Sequence, residues 1–203
     1  MSSDQRNETS LQEARRAFTR KHVCDAARDL FYRQGYEATT FEQIAKAAGT
    51  RRTTLYSHFR DKEDILEAIS DEYHAGLCAL VDRLPGPAPS REEIDTWIAS
   101  LVDFVKRERA PATLVIGLGT GTGHHDTILR SSKGFLSALA QRSPAFKKAM
   151  GSDPDDRMVN AWAKVVLREL SFACLAAARD GDQSAEAITV AAELFERFVH
   201  EFA

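Results

Sequence analysis

The sequence contains no apolar run that approaches the length of a membrane span, and its first residues, MSSDQRNETSLQEARR, are polar. A membrane-spanning helix needs roughly 20 apolar residues in succession, and a secretion signal needs an apolar segment near its start. These two absences predict a cytoplasmic protein that does not engage a membrane.

Cysteine is scarce, because the 203 residues include only Cys24, Cys78 and Cys174. Their number is odd, and no two form the CxxC pair of zinc and redox sites. We therefore expect buried, reduced thiols, no metal ion and no cofactor. His74 and Cys78 have a spacing that suits two metal ligands on one helix, but no further ligands lie nearby and both also suit a partly buried helix.

No segment alternates apolar and polar residues over a useful length, so the sequence predicts no strand. Apolar residues recur instead at helical spacing along nearly the whole chain, with a break at PGPAPS (85–90), where prolines cannot continue a helix. Helix ends are predicted by Gly35 and Gly49, and helix starts by Thr40, Asp61, a Ser90–Glu93 capping box and Asp153–Pro154. The sequence predicts an all-α fold of about nine helices.

Charge is distributed unevenly, although its net value is only −3. Residues 1–62 hold 12 Lys and Arg against 8 Asp and Glu, a balance of +4, and the remainder holds 15 against 22, a balance of −7. A basic first part followed by an acidic second part predicts an anionic partner for the first part alone.

Residues 41–58 read as a short helix, a glycine turn and a second short helix, which is helix-turn-helix geometry. Gly49 lies at the corner, where a left-handed backbone angle is needed. The second helix exposes Arg51 and Arg52, whose guanidinium groups match the O6 and N7 atoms of guanine in a major groove. The pattern favours DNA binding, and the alternative is a solvated surface helix without a partner.

The segment VCDAARDLFYRQGYEATTFEQIAKAAGTRRTTLYSHFRDKEDIL (23–66) resembles the DNA-binding domain of the TetR family of transcriptional regulators. The matching features are AA..LF...GY..TT through Thr40, IA..AG at 44–49, TLY.HF at 54–59 and KE at 62–63. The rest of the chain is similar to the family only in the number and length of its helices.

This resemblance implies an N-terminal arm and three-helix helix-turn-helix domain at 1–62, and a C-terminal helical domain at 63–203 for effector binding and dimerisation. It implies a homodimer, formed through the last two helices at about 155–181 and 183–202, on a palindromic double-stranded DNA operator. It assigns DNA contacts, to bases or to the phosphate backbone, to Thr40, Arg51, Arg52, Thr53, Thr54, Tyr56, His58 and Lys62.

Two departures from the family pattern concern the start of the second short helix. Where the family usually has valine and then serine after the corner glycine, this chain has Thr50 and Arg51. The loss of serine weakens the usual cap, and Thr50 is the substitute one position earlier. These changes affect the expected base preference rather than the DNA-binding role.

The last two helices carry more apolar surface than one buried face needs, which favours a subunit interface independently of the resemblance. The excess residues on the first of the two are Trp162, Val165, Val166, Leu167 and Leu170, and on the second Leu194, Phe195, Phe198, Val199 and Phe202.

The stretch GLGTGTGHHD (117–126) suits no phosphate-binding loop, because no lysine follows Gly123 and the glycines do not have the GxGxxG spacing. His124 and His125 are neighbours, so on a helix their side chains diverge by about 100° and cannot hold one metal ion together. The glycines interrupt helices, and we expect residues 117–125 to be a lid or pivot beside an effector cavity. The alternative is a plain surface loop.

Apolar side chains from several C-terminal helices are predicted to line the effector pocket, unless they are plain core. They are Trp97, Leu101, Phe104, Ile116, Phe135 and Trp162, with His124 as one polar contact. Such a pocket predicts a small, largely apolar effector.

The sequence therefore predicts a ligand-responsive DNA-binding transcriptional regulator, a repressor released from its operator when the effector binds, and not an enzyme. Effector binding would tilt the helix at 62–84 and change the spacing of the recognition helices. One alternative is a DNA-binding regulator controlled by a partner protein, and a more distant one is an enzyme that uses the glycine-rich loop with His124 and His125.

Overall fold

The computed structural model describes residues 3–84, 86–119, 125–154, 156–180 and 184–203. Within these ranges it contains ten α-helices and no strand, which confirms the predicted all-α class. The helices are α1 (Ser3–Gln34), α2 (Phe41–Ala47), α3 (Arg52–His58), α4 (Lys62–Val81), α5 (Arg91–Arg107), α6 (Arg109–Gly119), α7 (His125–Arg142), α8 (Pro144–Ala149), α9 (Asp156–Asp180) and α10 (Ala185–Glu201).

Two helices account for most of the difference from the sequence prediction. The residues predicted as an N-terminal arm are helical, since α1 begins at Ser3. The short helix α8 follows Ser143 and has proline at its first position, where the missing N–H group is not needed. The extension of α1 adds no helix, and α8 brings the count over the described residues to ten rather than about nine.

Most of the predicted helix ends are confirmed. Thr40 and Ser90 both form complete capping boxes, with Gln43 and Glu93 respectively. The Asp61 carboxylate accepts a hydrogen bond from the Asp64 amide at 2.8 Å. Gly35 and Gly49 have φ angles of 88° and 60°, the left-handed region that glycine adopts without a steric penalty.

Two predicted helix starts differ from the structure. Thr50 does not cap α3; the N-cap residue is Arg51, whose side chain makes no capping hydrogen bond. α9 begins at Asp156 rather than directly after Asp153, because Asp153 and Pro154 form a bend and turn before the helix. In that turn the Asp156 amide donates to the Asp153 carbonyl oxygen at 3.0 Å.

The chain divides into two compact units, residues 1–69 and 70–203. In the first, α1 packs against α2 and α3, which also pack against each other. The fully buried side chains that hold this unit together include Val23, Ile44, Leu55 and Ile65. α4 begins in the first unit and ends in the second, so one continuous helix belongs to both.

The second unit is built around α9, which packs against α5, α6, α8 and α10. An aromatic cluster joins α5, α8 and α10. The centre of the Phe195 ring lies 5.0 Å from that of Trp97 and 6.0 Å from that of Phe146, and the ring centres of Phe146 and Phe198 are 4.9 Å apart. Phe195, Phe198 and Val199 are completely or almost completely buried within the chain. The second apolar face of α10, predicted to meet another subunit, is thus largely used by the chain's own core.

No helix in the described part of the chain combines the length and apolarity needed to cross a membrane. The same residues contain no group of three or more His, Cys, Asp or Glu side chains positioned to hold a metal ion.

Candidate nucleic-acid interface and effector cavity

The helix-turn-helix is formed by α2, a tight turn and α3. Ile44 and Ala45 of α2 and Leu55 of α3 are buried and lock the two helices together. The turn closes through a 2.9 Å hydrogen bond from the Thr50 amide to the Ala45 carbonyl oxygen, and Gly49 supplies the positive φ that this turn requires. Burial of Leu55 orients the opposite face of α3 toward solvent.

Three predicted base-contacting residues, Arg51, Arg52 and Thr53, are exposed on or directly before the first turn of α3. The Arg52 guanidinium donates a hydrogen bond to the Tyr56 hydroxyl at 3.3 Å and lies 5.6 Å from the centre of that ring. This hydrogen bond raises the pKa of Arg52, with a further contribution from Glu42. Tyr56 therefore orients the Arg52 side chain along the exposed face of the helix.

The predicted DNA contacts beside the exposed face of α3 differ in how far their side chains are exposed to solvent. Thr40 is exposed, although its hydroxyl already takes part in the capping box, where it accepts from the Gln43 amide at 3.2 Å. Tyr56 is 50% exposed and its ring packs against Phe41 at 4.8 Å. Thr54 is half-buried, and its carbonyl oxygen accepts a hydrogen bond from the Ser57 hydroxyl at 2.7 Å.

Lys62 is directed inward. Its ammonium group donates to the carbonyl oxygens of Tyr36 at 2.7 Å, Thr39 at 3.1 Å and Glu37 at 3.4 Å. It also lies 4.2 Å from the centre of the Tyr36 ring. In this structure Lys62 therefore binds the turn between α1 and α2.

His58 is half-buried at the end of α3. Its Nδ1 atom is buried and has no hydrogen-bond partner within the part of the chain that the structure describes. Burial lowers the pKa of His58, and the positive charges of Arg16 and Arg20 lower it further. The imidazole is therefore neutral near pH 7.

Arg20 of α1 is a residue of this region that the sequence did not single out. Its guanidinium donates to the His58 carbonyl oxygen at 2.7 Å and lies 4.2 Å from the centre of the Phe59 ring. These contacts fix the C-terminal end of α3 against α1. Because the two residues are 38 positions apart, no local pattern indicates the contact.

The second unit contains a cavity of about 550 Å³, which lies within the range of small-molecule sites. Its wall comes from α4, α5, α6, α7 and α9 and is mostly apolar. Apolar lining residues include Leu77, Leu101, Val105, Val115, Ile116, Ile128, Phe135 and Leu170, and polar ones include Tyr73, His74, Ser132, Lys164, Arg168 and Ser171.

The structure brings only part of the predicted pocket together. Leu101, Ile116 and Phe135 line the cavity, whereas Trp97, Phe104 and Trp162 do not. Trp97 is 2% exposed and donates its indole N–H to the Leu80 carbonyl oxygen at 2.9 Å, as a core residue. Phe104 packs directly on the backbone of α4 at Gly76, which has no side chain to occupy that space.

Trp162 lies on α9 at a half-buried position outside the cavity wall. His124 lies outside the residues that the structure describes, as do the other residues of 120–124. Of the predicted glycine stretch, Gly117 and Gly119 form the end of α6, and Gly119 lines the cavity. A Cβ atom at Gly119 would lie 3.1 Å from Cγ2 of Ile128, so this helix end fits closely against α7.

Tyr73 and His74 of α4 are cavity residues that sequence reasoning did not assign to the pocket. His74 is 7% exposed, and its Nδ1 lies 2.8 Å from the Ser70 carbonyl oxygen and 3.2 Å from the Ser70 hydroxyl. Burial lowers the pKa of His74, partly opposed by the Ser70 hydrogen bond and by Asp71. Burial raises the pKa of Tyr73. Both groups are therefore neutral near pH 7.

Residues 23–69 match the model of the family described as bacterial regulatory proteins, tetR family. The chain is 47% identical over 51 residues to the HTH-type transcriptional regulator AcrR of Shigella flexneri, a match that covers 25% of this chain and 24% of that protein. It is 27% identical over 187 residues to the HTH-type transcriptional regulator AlkX of Mycobacterium tuberculosis, covering 86% of this chain and 83% of the relative. Only the second match thus extends well beyond the helix-turn-helix.

The fold is similar to that of the transcriptional regulator FadR from Bacillus subtilis, whose structure is a complex with stearoyl-CoA. The TM-score is 0.62 at 18% identity, and the alignment covers 88% of this chain and 97% of that one. AcrR and AlkX are both described as transcriptional regulators, in agreement with the prediction that this chain is not an enzyme.

Proposed function

We propose that this chain, which belongs through residues 23–69 to the tetR family of bacterial regulatory proteins, is a ligand-responsive transcriptional repressor. It binds a palindromic operator as a homodimer and leaves the DNA when a small, largely apolar effector occupies the cavity of the second unit. The observation that carries the DNA-binding part is the exposed start of α3, where Arg51, Arg52 and Thr53 project from a helix fixed by buried Leu55.

In the proposed complex α3 enters the major groove. Arg51 and Arg52 read guanine edges, Thr53 and Thr54 contact bases or phosphates, and the N-terminus of α2 at Thr40 receives a phosphate. Tyr56 contacts the DNA backbone and positions Arg52 through their hydrogen bond. Since the Lys62 ammonium group binds carbonyl oxygens of the α1–α2 turn, we assign it the role of holding that turn in place, and His58 stays a predicted contact to the DNA backbone.

An apolar stripe on α9 supports the proposed dimer. Met158, Val165 and Phe172 are spaced by seven residues, so they lie on one side of the helix, and they are 64%, 39% and 41% exposed. Val165 and Phe172 also line the cavity, whereas Met158 does not. Val190 of α10 is 54% exposed. Large exposed apolar side chains in such an array are typical of a protein interface.

The dimer is tested by analytical ultracentrifugation of the full chain and of Met158→Glu, which places a charge on the stripe away from the cavity. We expect the unchanged chain to sediment as a dimer and Met158→Glu to shift toward monomer. Gln141→Glu, an exposed change on α7, adds the same single negative charge and is the control. A monomeric unchanged chain at micromolar concentration would contradict the dimer.

The cavity and α4 support the effector part of the proposal. α4 contributes Tyr73, His74 and Leu77 to the cavity wall, and the same helix begins in the DNA-binding unit at Lys62. A ligand that binds one orientation of α4 more tightly shifts the population toward that orientation. We propose that this shift changes the spacing of the two α3 helices in the dimer and lowers operator affinity.

The proposed function is tested by selecting bound duplexes from a random-sequence DNA library with the full chain. We expect an inverted repeat whose half-sites lie about one helical turn apart, or a multiple of it. A set of apolar compounds is then screened for release of the selected duplex. Recovery of sequences without a shared motif would contradict specific DNA binding, and a motif without symmetry would contradict the dimeric arrangement.

A further inference from the structure

The hydrogen bond between His74 and Ser70 determines which ring nitrogen carries the proton. A backbone carbonyl oxygen only accepts hydrogen bonds, so Nδ1, which lies 2.8 Å from the Ser70 carbonyl oxygen, must be the donor. A neutral imidazole has one N–H group and one bare nitrogen. Nε2 of His74 is therefore the bare nitrogen and acts as an acceptor.

Nε2 makes no hydrogen bond to the residues that the structure describes, and it is not one of their fully enclosed atoms without a partner, so it faces open space. Because Nδ1 faces the backbone of its own helix, the distal edge of the ring, which carries Nε2, is the part that His74 contributes to the cavity wall. The side chain is more than nine-tenths buried. A ligand that fills the cavity displaces water from this acceptor. A ligand hydroxyl that donates to Nε2 replaces the lost hydrogen bond, whereas a group without a donor leaves Nε2 unpaired.

The neighbouring Tyr73 adds a second neutral polar group on the same helix. It is 6% exposed, lines the cavity, and carries a hydroxyl that both donates and accepts. Burial disfavours the charged forms of both side chains, since the pKa of His74 is lowered and that of Tyr73 is raised. The inner polar groups of the cavity thus suit an uncharged partner.

The two positively charged residues that line the cavity, Lys164 and Arg168, lie in its outer part. Lys164 is exposed, and the Arg168 side chain is 56% exposed and already paired with Glu169 at 3.2 Å. Among the described lining residues an anionic ligand group therefore finds no buried positive partner, and it would lie at the exposed rim. A neutral ligand group instead meets the bare nitrogen of His74 inside.

We infer that the effector is an uncharged, largely apolar molecule with a hydroxyl group, and that this hydroxyl donates a hydrogen bond to Nε2 of His74. The inference rests on the proposed function, because it assigns a ligand class to the proposed effector cavity. The apolar wall supplies most of the affinity, and His74 selects for the hydroxyl.

Matched probes test this by titration calorimetry on the full chain. Each set has a hydroxyl, a methyl ether and a carboxylic acid on the same apolar skeleton: one set is built on straight chains of about eight to sixteen carbons, the other on 4-alkylbenzenes. The hydroxyl compound of at least one set is expected to bind about tenfold more tightly than its ether, because the ether leaves Nε2 unpaired.

Two variants test whether the preference for the hydroxyl over the ether depends on His74. His74→Phe removes the acceptor and keeps an aromatic ring, so the ratio of hydroxyl to ether affinity should fall to within about twofold. His74→Gln keeps an acceptor near the position of Nε2 and should retain most of the preference. In the unchanged chain, nitrogen NMR of labelled histidine gives a measurement that needs no variant: binding of the hydroxyl compound should shift Nε2 of His74, and the ether should not.

Several outcomes would overturn the inference: an ether that binds as tightly as its hydroxyl partner, a preference that persists in His74→Phe, tightest binding by the acid, or binding by none of the probes. The operator duplex separates this from the proposed function. A hydroxyl compound that binds selectively through His74 but leaves DNA affinity unchanged overturns the effector role and leaves the ligand class standing.

Discussion

The ammonium group of Lys62 donates a hydrogen bond to the Tyr36 carbonyl oxygen at 2.7 Å and lies 4.2 Å from the centre of the same residue's ring. Lys62 is the first residue of α4, and Tyr36 lies in the turn that follows α1. The contact therefore joins the helix shared by both units to the turn that precedes the helix-turn-helix.

Replacement of Lys62 by methionine keeps the aliphatic stem and removes three hydrogen bonds to carbonyl oxygens. We expect a loss of about 1–3 kcal/mol in the free energy of unfolding, measured with urea. Operator affinity should fall while its dependence on salt concentration stays the same, since no phosphate contact is lost. Lys106→Met, in the second unit, is the control for charge. If the slope of log affinity against log salt concentration fell by about one, the value for one lost phosphate contact, Lys62 would contact DNA directly.

The positive φ of Gly49 predicts a difference between two glycine substitutions. A Cβ atom at Gly49 or at Gly134 meets no other atom within 4 Å, so steric contacts do not distinguish them. Gly49→Ala forces alanine into the left-handed region and should destabilise the protein by about 1–2 kcal/mol. Gly134→Ala lies within α7 and should stabilise it by up to about 1 kcal/mol, because alanine is the better helix former. Equal effects in urea unfolding would contradict the assigned turn geometry.

The lowered pKa values of His58 and His74 predict how stability depends on pH. Below about pH 6.5 these two histidines become protonated in the unfolded chain but stay neutral in the folded one. The stability that the two neutral side chains contribute is therefore complete above that pH and is lost as the pH falls. Urea unfolding at about pH 7.5 and pH 5.5 should show a smaller loss for His74→Gln than for the unchanged chain. As the control, replacement of exposed His22 by Gln should leave this pH-dependent loss of unfolding free energy as in the unchanged chain. An equal loss in all three proteins would contradict the burial of His74.

The first unit was predictable because its signals are local. Gly49, the Thr40 capping box and the apolar residues of α2 and α3 act on neighbours within a few positions, and the structure places all of them as the sequence indicates. The failed cap at Thr50 shows the limit of this reasoning: a residue suited to capping was present, but the extended residue before α3 is Arg51.

The cavity was less predictable because it depends on how five separate helices pack. Hydrophobic spacing identifies Trp97 and Phe104 as buried but cannot say whether they face a cavity or the core. The closeness of Phe104 to Gly76 and the indole hydrogen bond of Trp97 to Leu80 decide that, and both are contacts between distant positions. His74 was noticed for its spacing from Cys78, whereas its significant neighbour is Ser70, one turn earlier on the same helix.

The central claim is that the exposed start of α3 reads the operator, and DNA binding by Arg51→Ala/Arg52→Ala tests it most directly. The double variant removes two guanidinium groups, and Arg107→Ala/Arg109→Ala removes two exposed ones from the second unit as the control. By fluorescence anisotropy on the selected duplex at fixed salt, we expect the first to bind about 100-fold or more weakly and the control to bind normally. Normal operator binding by Arg51→Ala/Arg52→Ala would contradict the account.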